Sequence, residues 1–283
     1  MKIENVKVSI IMPCYNDGRY IQKSIQSVIN QTIQSWELII IDDGSDDSET
    51  LLYLNKLEHP KIKIYFEEHG GPSHARNKGI KYASGKYILP LDADDIIAPS
   101  YLEKAISVLD QDSSIGIVYC EAEFFDKKQE RWNLPNFTIE RMLLHNIIFV
   151  TSLFRKSDWE AIGGFDEHLE YGLEDYDFWL SILERKTTVY RIPEILFYYR
   201  IKSLSRNKKF ELDEDRVKET YNYIFFKHIN LYRNNFDKVI PLFRKEIIEN
   251  EYKGIRLKSK IPFYEIFINN NGLKNMIKRI LNI

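Results

Sequence analysis

Cysteine is nearly absent. The 283 residues hold two, Cys14 and Cys120, each in or just after an apolar run and far from any paired spacing. That excludes a disulfide framework or a cysteine metal centre and leaves two small, reduced, buried side chains. No apolar stretch is long enough to cross a bilayer, and Met1–Asn5 leads straight into the first strand without the apolar core of a secretion signal, so the chain is expected to stay in the cytoplasm. Neither sign of charge dominates: 40 Lys+Arg against 42 Asp+Glu leave a net charge of -2, with no global field to attract nucleic acid. The turn Pro13–Gly18 lacks both Gly-x-Gly-x-x-Gly and Gly-Lys-Ser/Thr, which argues against a dinucleotide cradle and a P-loop. His59, His69, His145, His168 and His228 fall at no metal-binding spacing, and His74 reads as a polar loop residue.

What is present is an alternation. Val6–Met12, Trp36–Ile41, Ile62–Phe66 and Lys86–Leu91 read as strands, with helices over Tyr20–Gln31, Ser48–Leu57 and Ser73–Ala83 between them. This order predicts right-handed crossovers and an α/β fold, a Rossmann-like, mainly parallel sheet with helices on both faces. Ligands of such sheets bind beyond the carboxyl ends of the strands. Here those ends carry Pro13-Cys14-Tyr15-Asn16-Asp17, Asp42-Asp43, Glu67–Gly71 and Asp92-Ala93-Asp94. Asp92, Asp94 and Asp95 repel one another unless a cation joins them, and a hard divalent ion, Mn²⁺ or Mg²⁺, with a diphosphate in its remaining positions is the usual answer. The alternative is an acidic surface turn with Asp95 capping the next helix. Without a glycine cradle, a nucleotide must be gripped by side chains. Tyr15 can stack on a base and Asp43 can accept a uracil N–H, while a cover over the sheet end and an Asx-type turn are open as their other roles.

Ser9-Ile10-Ile11-Met12-Pro13-Cys14-Tyr15-Asn16, Ile40-Ile41-Asp42-Asp43-Gly44-Ser45, Gly70–Ile80 and Leu91-Asp92-Ala93-Asp94-Asp95 resemble, in order, the motifs of the family 2 glycosyltransferases of the GT-A fold. The likeness continues through Ile162–Glu167 and Glu174–Trp179, covers the stretch 1–208 and fades beyond it. It implies a nucleotide-sugar donor, usually a UDP-sugar, a divalent metal, and transfer of a hexose or N-acetylhexosamine with inversion at the anomeric carbon. By the resemblance, Pro13, Tyr15, Asp17 and Asp43 line the nucleotide pocket, Arg76 belongs to the segment closing over it, and Asp92 lies nearer the ribose or reaches the metal through water. Asp94 is the implied direct metal ligand.

Inversion by direct displacement needs a base on the acceptor side, and Asp175 is the candidate, at the start of a helix with Phe178, Trp179 and Ile182 at helical spacing. Helix capping is its other reading. Gly163-Gly164-Phe165-Asp166 reads as a tight turn that in the family helps form the acceptor pocket. Gly164, Phe165, Glu174 and Trp179 are therefore the acceptor candidates, with Trp159 as a further stacking residue. After the last core strand, Ile195–Ile201, many relatives carry a His where this chain has Lys202, a point charge suited to the diphosphate if it is not simply a solvated loop lysine.

The expected organisation is a catalytic domain over 1–208, with a donor half at 1–100 and an acceptor half at 101–208, and a helical C-terminal extension over 209–283. In the extension Val217, Tyr221, Ile224 and Phe225 share a face and Pro241 opens a further helix. Leu273, Met276, Ile277, Ile280 and Leu281 form a stripe beside Lys274, Lys278 and Arg279. Such an end suits three partners: its own domain, a twin subunit in a homodimer, or the inner face of the plasma membrane, where lipid-linked glycan acceptors lie. The composite expectation is an inverting transferase of cell-surface polysaccharide synthesis acting on a glycan or lipid-linked acceptor. A sugar-phosphate nucleotidyltransferase would need a glycine-rich loop after the first strand. A non-catalytic glycan-binding module should have lost Asp94 or Asp175.

Overall fold

The computed structural model describes residues 6–202, 210 and 212–252. Strands β1 (Val8–Cys14), β2 (Trp36–Asp43), β3 (Ile62–Glu67) and β4 (Tyr87–Pro90) alternate with helices α1 (Gly18–Ile29), α2 (Ser48–Lys56) and α3 (Gly71–Tyr82). β5 (Ile96–Ile97), α4 (Tyr101–Gln111), β6 (Ile115–Asp126), β7 (Glu130–Trp132) and α5 (Ile139–Leu144) follow. β8 (Leu153–Arg155), α6 (Lys156–Ile162), α7 (Glu174–Glu184) and β9 (Thr188–Ile201) complete the sheet-bearing part. Ile10, Ile11, Ile39, Ile40 and Ile41 of β1 and β2 are fully buried because helices cover both faces, each worth about 1.5–3 kcal/mol of apolar burial.

The sheet runs β3-β2-β1-β4-β8-β6-β9-β5, with β7 paired to β6. β1 to β4 pair in parallel, whereas β8 runs antiparallel to both β4 and β6, and β9 pairs parallel to β6 and antiparallel to β5. From β1 the chain winds outward through β2 and β3, then returns to lay β4 on the other side of β1. The loops leaving β1 and β4 therefore diverge and open a crevice at the strands' carboxyl ends, the usual ligand position in such sheets. The β1–β4 register ends at Ile11↔Pro90 while β1–β2 continues to Cys14↔Asp42, so Pro13, which has no N–H to give, lies past the last β4 pair. At the opposite edge Glu37 of β2 is buried and accepts from Ser9 Oγ (2.7 Å), Ser84 N (2.7 Å), Ser84 Oγ (2.6 Å) and Lys63 Nζ (2.9 Å).

The chain forms two compact units, residues 1–136 with 148–205, and residues 137–147 with 206–283. The second unit thus takes in 137–147, a stretch that the linear boundary at 208 assigned to the acceptor half. Its described helices are α5, α8 (Glu214–Lys227), α9 (Ile229–Asn234) and α10 (Phe236–Tyr252). Phe225 and Tyr232 meet at 4.8 Å, and α5 packs on α10. Pro241 does not open a helix but lies inside α10, where buried Phe236, Val239 and Phe243 share one face and carry the helix through it. The basic amphipathic stretch 253–281 and the polar loop 203–209 lie outside the described residues. Among the described residues no helix is long and apolar enough to cross a membrane. Both cysteines are buried and free, and burial first, then Asp17, pushes the Cys14 thiol up to about 12.

Candidate active site

The rim is assembled loop by loop. Asn16 has φ 56°, a left-handed conformation that asparagine tolerates, and this turns its amide toward the loop after β2. Its Nδ2 donates to Asp46 (2.7 Å), its Oδ1 accepts from the N–H groups of Asp46 and Asp47 (3.0 and 3.2 Å), and its own N–H reaches Ser45 Oγ (2.9 Å). Behind it, Gly18 N donates to Thr50 Oγ1 at 2.7 Å, and a Cβ on Gly18 would fall 2.3 Å from the Thr50 nitrogen, so only glycine lets α1 and α2 meet there. The clip leaves the Tyr15 ring 45% exposed, 4.5 Å from the His69 ring.

Asp43 is buried. Its two oxygens accept the N–H groups of Gly70 (2.9 Å) and Gly71 (3.0 Å), and His69 Nδ1 lies 2.9 Å from Oδ2, so Asp43 organises the loop that opens α3. Oδ1 keeps a second lone pair for a further N–H, whereas Oδ2 already faces both Gly71 N and His69 Nδ1. The Asx-type contact belongs to its neighbour: Asp42 Oδ2 accepts from Ser45 N at 3.3 Å, while Asp42 Oδ1 is buried without a partner.

Of the three carboxylates after β4, two face cations and the third a backbone N–H. Asp92 Oδ1 meets Arg76 Nη2 at 2.8 Å, and Asp94 Oδ2 meets Lys202 Nζ at 2.9 Å. Lys202 also holds Asp17 Oδ1 at 2.5 Å, and its ammonium lies 4.8 Å over the Tyr20 ring. Asp95 caps no helix. It is 1% exposed, accepts the Arg200 N–H at 2.9 Å, and so anchors β9, whose Arg200 Nε reaches Asp94 O at 2.8 Å and whose Nη1 pairs with Asp126 at 2.9 Å. Burial pushes Asp94 up to about 6, with Asp17 and Asp92 pushing the same way and Lys202 pulling it back. Burial raises Asp17 too, against the pull of Lys202, and sends Asp95 well above the carboxylate range with help from Asp94 and Asp92. Burial disfavours the Lys202 ammonium, but Asp94 and Asp17 outweigh it and keep the lysine charged.

Arg76 is 2% exposed and bridges Asp92 to Glu174 Oε1 (2.8 Å), with its guanidinium 5.7 Å over Phe165. Burial works against its charge, but Asp92 and Glu174 together raise its pKa further. The bridge joins the loop after β4 to the first turn of α7. That turn is delivered by Leu173 at φ 63°, a conformation costing about 1–3 kcal/mol for such a residue. Asp175 is half-buried in this turn and its Oδ1 accepts from Tyr176 N at 2.8 Å. Leu173, not Asp175, occupies the cap position.

Two expected acceptor residues are core residues instead. Phe165 lies flat on Phe178 with centroids 3.9 Å apart, and Trp179 is 0% exposed, packed edge-on against Phe154 and Phe178. Neither offers a face to a sugar, because α7 turns its apolar stripe into the sheet. Gly164 is fixed by packing: at φ 92°, its Cβ would fall 2.7 Å from Asn77 Oδ1, which also accepts from Phe165 N and Trp159 Nε1. Glu174 is buried under Arg76. The residues not anticipated are Arg200, Tyr20 and Tyr199. Burial, then Asp95, Asp92, Asp94 and Asp175, pushes the Tyr199 hydroxyl up, so this ring lies within the field of both carboxylate groups.

Asp17 and Asp94 share one ammonium, so a carboxylate charge is left over, and a diphosphate cannot enter such a site without added positive charge. The donor set suits a hard cation. Among the described residues no group of three or more His, Cys, Asp or Glu side chains is arranged to hold one alone.

The fold and this rim define a GT-A glycosyltransferase architecture. The family model for glycosyl transferase family 2 matches residues 9–162, more than half of the chain, and the chain belongs to that family. It is 34% identical to an uncharacterized glycosyltransferase of Rickettsia typhi over 69% of this chain and 64% of that protein. It is 29% identical to the chondroitin synthase of Pasteurella multocida over 98% of this chain but only 30% of the synthase. The chain thus spans less than two thirds of either relative. Two solved structures share the fold. One is Staphylococcus aureus TarS with UDP-GlcNAc (TM-score 0.62, 19% identity, 80% of this chain and 72% of that one). The other is the Pyrobaculum calidifontis mannosyltransferase PcManGT with GDP-Man and Mn²⁺ (TM-score 0.61, 16% identity, 92% and 85%). At these identities the likeness carries the fold alone.

Proposed function

We propose that this chain transfers a sugar, with inversion, from a nucleotide-sugar donor, a UDP-sugar, to a hydroxyl of a glycan or lipid-linked acceptor in polysaccharide synthesis. The observation that carries the proposal is the Arg76 bridge, which holds the Asp92–Asp94 loop and the α7 turn bearing Asp175 in one assembly. TarS with UDP-GlcNAc and the chondroitin synthase relative support the donor and acceptor classes. In this reading residues 1–100 take the donor, 101–208 bring the acceptor, and 209–283 append helices. The work takes place in the cytoplasm, at the inner face of the membrane where a lipid-linked acceptor is presented.

The Tyr15 ring stacks on the base, with Asp43 and Pro13 beside it. Asp94 would hold Mn²⁺ or Mg²⁺, with Asp17, which shares Lys202 with it, and Asp92 close by. When bound, the ion offsets the charge that builds on the departing diphosphate. Lys202 adds a second positive charge on the same side. Asp175 takes the proton of the acceptor hydroxyl as its oxygen bonds to the anomeric carbon and the bond to the diphosphate breaks.

Calorimetry of UDP with and without Mn²⁺ tests the donor site. Tight binding only with the ion is expected for the native chain, and loss of that ion dependence for Asp94→Asn. Equal affinity in chelator and in Mn²⁺ would sink the assignment.

A further inference from the structure

Outside the carboxylate cluster, the sheet carries an aromatic group that the reaction scheme does not use. Phe124 of β6 and Tyr199 of β9 are register partners, and Trp132 of β7 folds back over them: Phe124–Trp132 stack at 5.0 Å, and Trp132–Tyr199 lie at 5.3 Å. Phe149 (5.9 Å from Trp132) and Phe197 (4.5 Å from Phe149) are buried beneath, while Phe124, Trp132 and Tyr199 are half-exposed. Trp132 lies 25° from the plane of Phe124 and 55° from that of Tyr199, so the three form an uneven shelf with Trp132 at its centre. Its rim is polar. Lys128 lies 5.7 Å over Phe124 and pairs with Glu130, the register partner of Phe124.

The shelf leads to the chemistry. β5 pairs antiparallel with β9 at Ile96↔Tyr198, which sets Tyr199 beside Asp95, and Asp95 accepts the N–H of Arg200 at 2.9 Å. Burial, then Asp95, Asp92, Asp94 and Asp175, pushes the Tyr199 hydroxyl up, in agreement with this placement. An aromatic floor with a charged rim matches a pyranose ring, which presents an apolar C–H face and an edge of hydroxyls. A lipid chain would instead need an apolar trough without ions along its edge.

We propose that Trp132, with Phe124 and Tyr199, forms the acceptor subsite, a shelf on which the C–H face of the acceptor's terminal pyranose stacks so that its hydroxyl is presented to Asp175. The proposal rests on the transferase reading above and replaces Phe165 and Trp179 as stacking residues. Trp132 is then a specificity determinant, selecting sugars with an unbroken C–H face over those with an axial hydroxyl on it.

Saturation-transfer NMR tests this with methyl β-glycosides of glucose, galactose, N-acetylglucosamine, N-acetylgalactosamine and glucuronic acid, each added to the full chain with UDP and Mn²⁺. The expected result is transfer to the axial ring C–H protons of at least one glycoside, reduced about tenfold in affinity by Trp132→Ala and largely kept by Trp132→Phe. UDP protons in the same tube report the donor site. If the native chain shows no UDP signal, the transferase reading fails. If UDP binds but no glycoside does, or the glycoside signal is equal in Trp132→Ala, the shelf alone is overturned. Should Trp132→Ala also lose UDP, Trp132→Leu, which keeps apolar packing but has no ring face, takes its place, and an unchanged glycoside signal there overturns the shelf as well.

Discussion

Asp175 and Asp94 differ in what surrounds them, and this decides what each can do. Asp94 is boxed in by Asp17, Asp92 and Lys202, two carboxylates and one ammonium. Asp175 opens α7, half-exposed, with one oxygen on the Tyr176 N–H that orients it. Replacing Asp175 with Asn keeps that hydrogen bond but removes the proton acceptor. Sugar transfer should fall by about 10² to 10⁴, with UDP affinity unchanged within error. Paired calorimetry and transfer assays check this; full transfer by the variant would pass the base role to another group in the first turn. The carboxylate cluster after β4 was legible because an apolar run ending in carboxylates marks a strand that stops at a polar rim. The partner of Asp95, the N–H of Arg200, was not legible because it lies 105 residues away.

At the level of elements, α3 and α7 are joined by one guanidinium. Arg76 and Glu174 are both buried, and removing one partner of such a pair strands the other charge in the core. Arg76→Met should therefore cost about 3–5 kcal/mol of stability by urea unfolding, and adding Glu174→Gln should restore part of it. Arg76→Lys should fall between, since one ammonium cannot repeat the fork to both carboxylates. A midpoint for Arg76→Met within error of the native chain would mean that α7 is held by its apolar face alone. Phe165 and Trp179, taken from the sequence as acceptor residues, are both buried against Phe178. Aromatics at helical spacing identify an apolar stripe, but not whether that stripe meets a core or a ligand.

For the whole molecule, the two edges of the sheet are built to opposite ends. The carboxyl edge crowds like charges and is left short of cations. The other edge is satisfied: burial would push Glu37 up, but hydrogen bonds from Ser84, Lys63 and Ser9 win and hold it at about 2. A carboxylate lower in the folded than in the unfolded chain contributes stability that is complete above about pH 4.5 and is lost as pH falls toward 2. The shift corresponds to about 3 kcal/mol at neutral pH. Glu37→Gln should lower stability at pH 7 by an amount of that order and flatten the acid limb between pH 4.5 and 2, as followed by denaturant titration across pH. Parallel limbs for variant and native chain would remove Glu37 from the account.

The sequence alone determined the alternation of strands and helices, the first four strands to within a few residues, and the carboxylate-bearing rim, because these depend on periodicity and on residues adjacent in the chain. The antiparallel β8, the short β5 and β7, and the inclusion of 137–147 in the second unit carry no local signature. They were decided by which strand edges and apolar faces remained open once β1 to β4 had paired. The partners of Arg76, 16 and 98 residues away, and of Lys202, 185 residues from Asp17, were likewise decided only by the tertiary structure. A charge in the sequence shows that it needs a counter-charge, but only the folded chain brings the two within hydrogen-bonding distance.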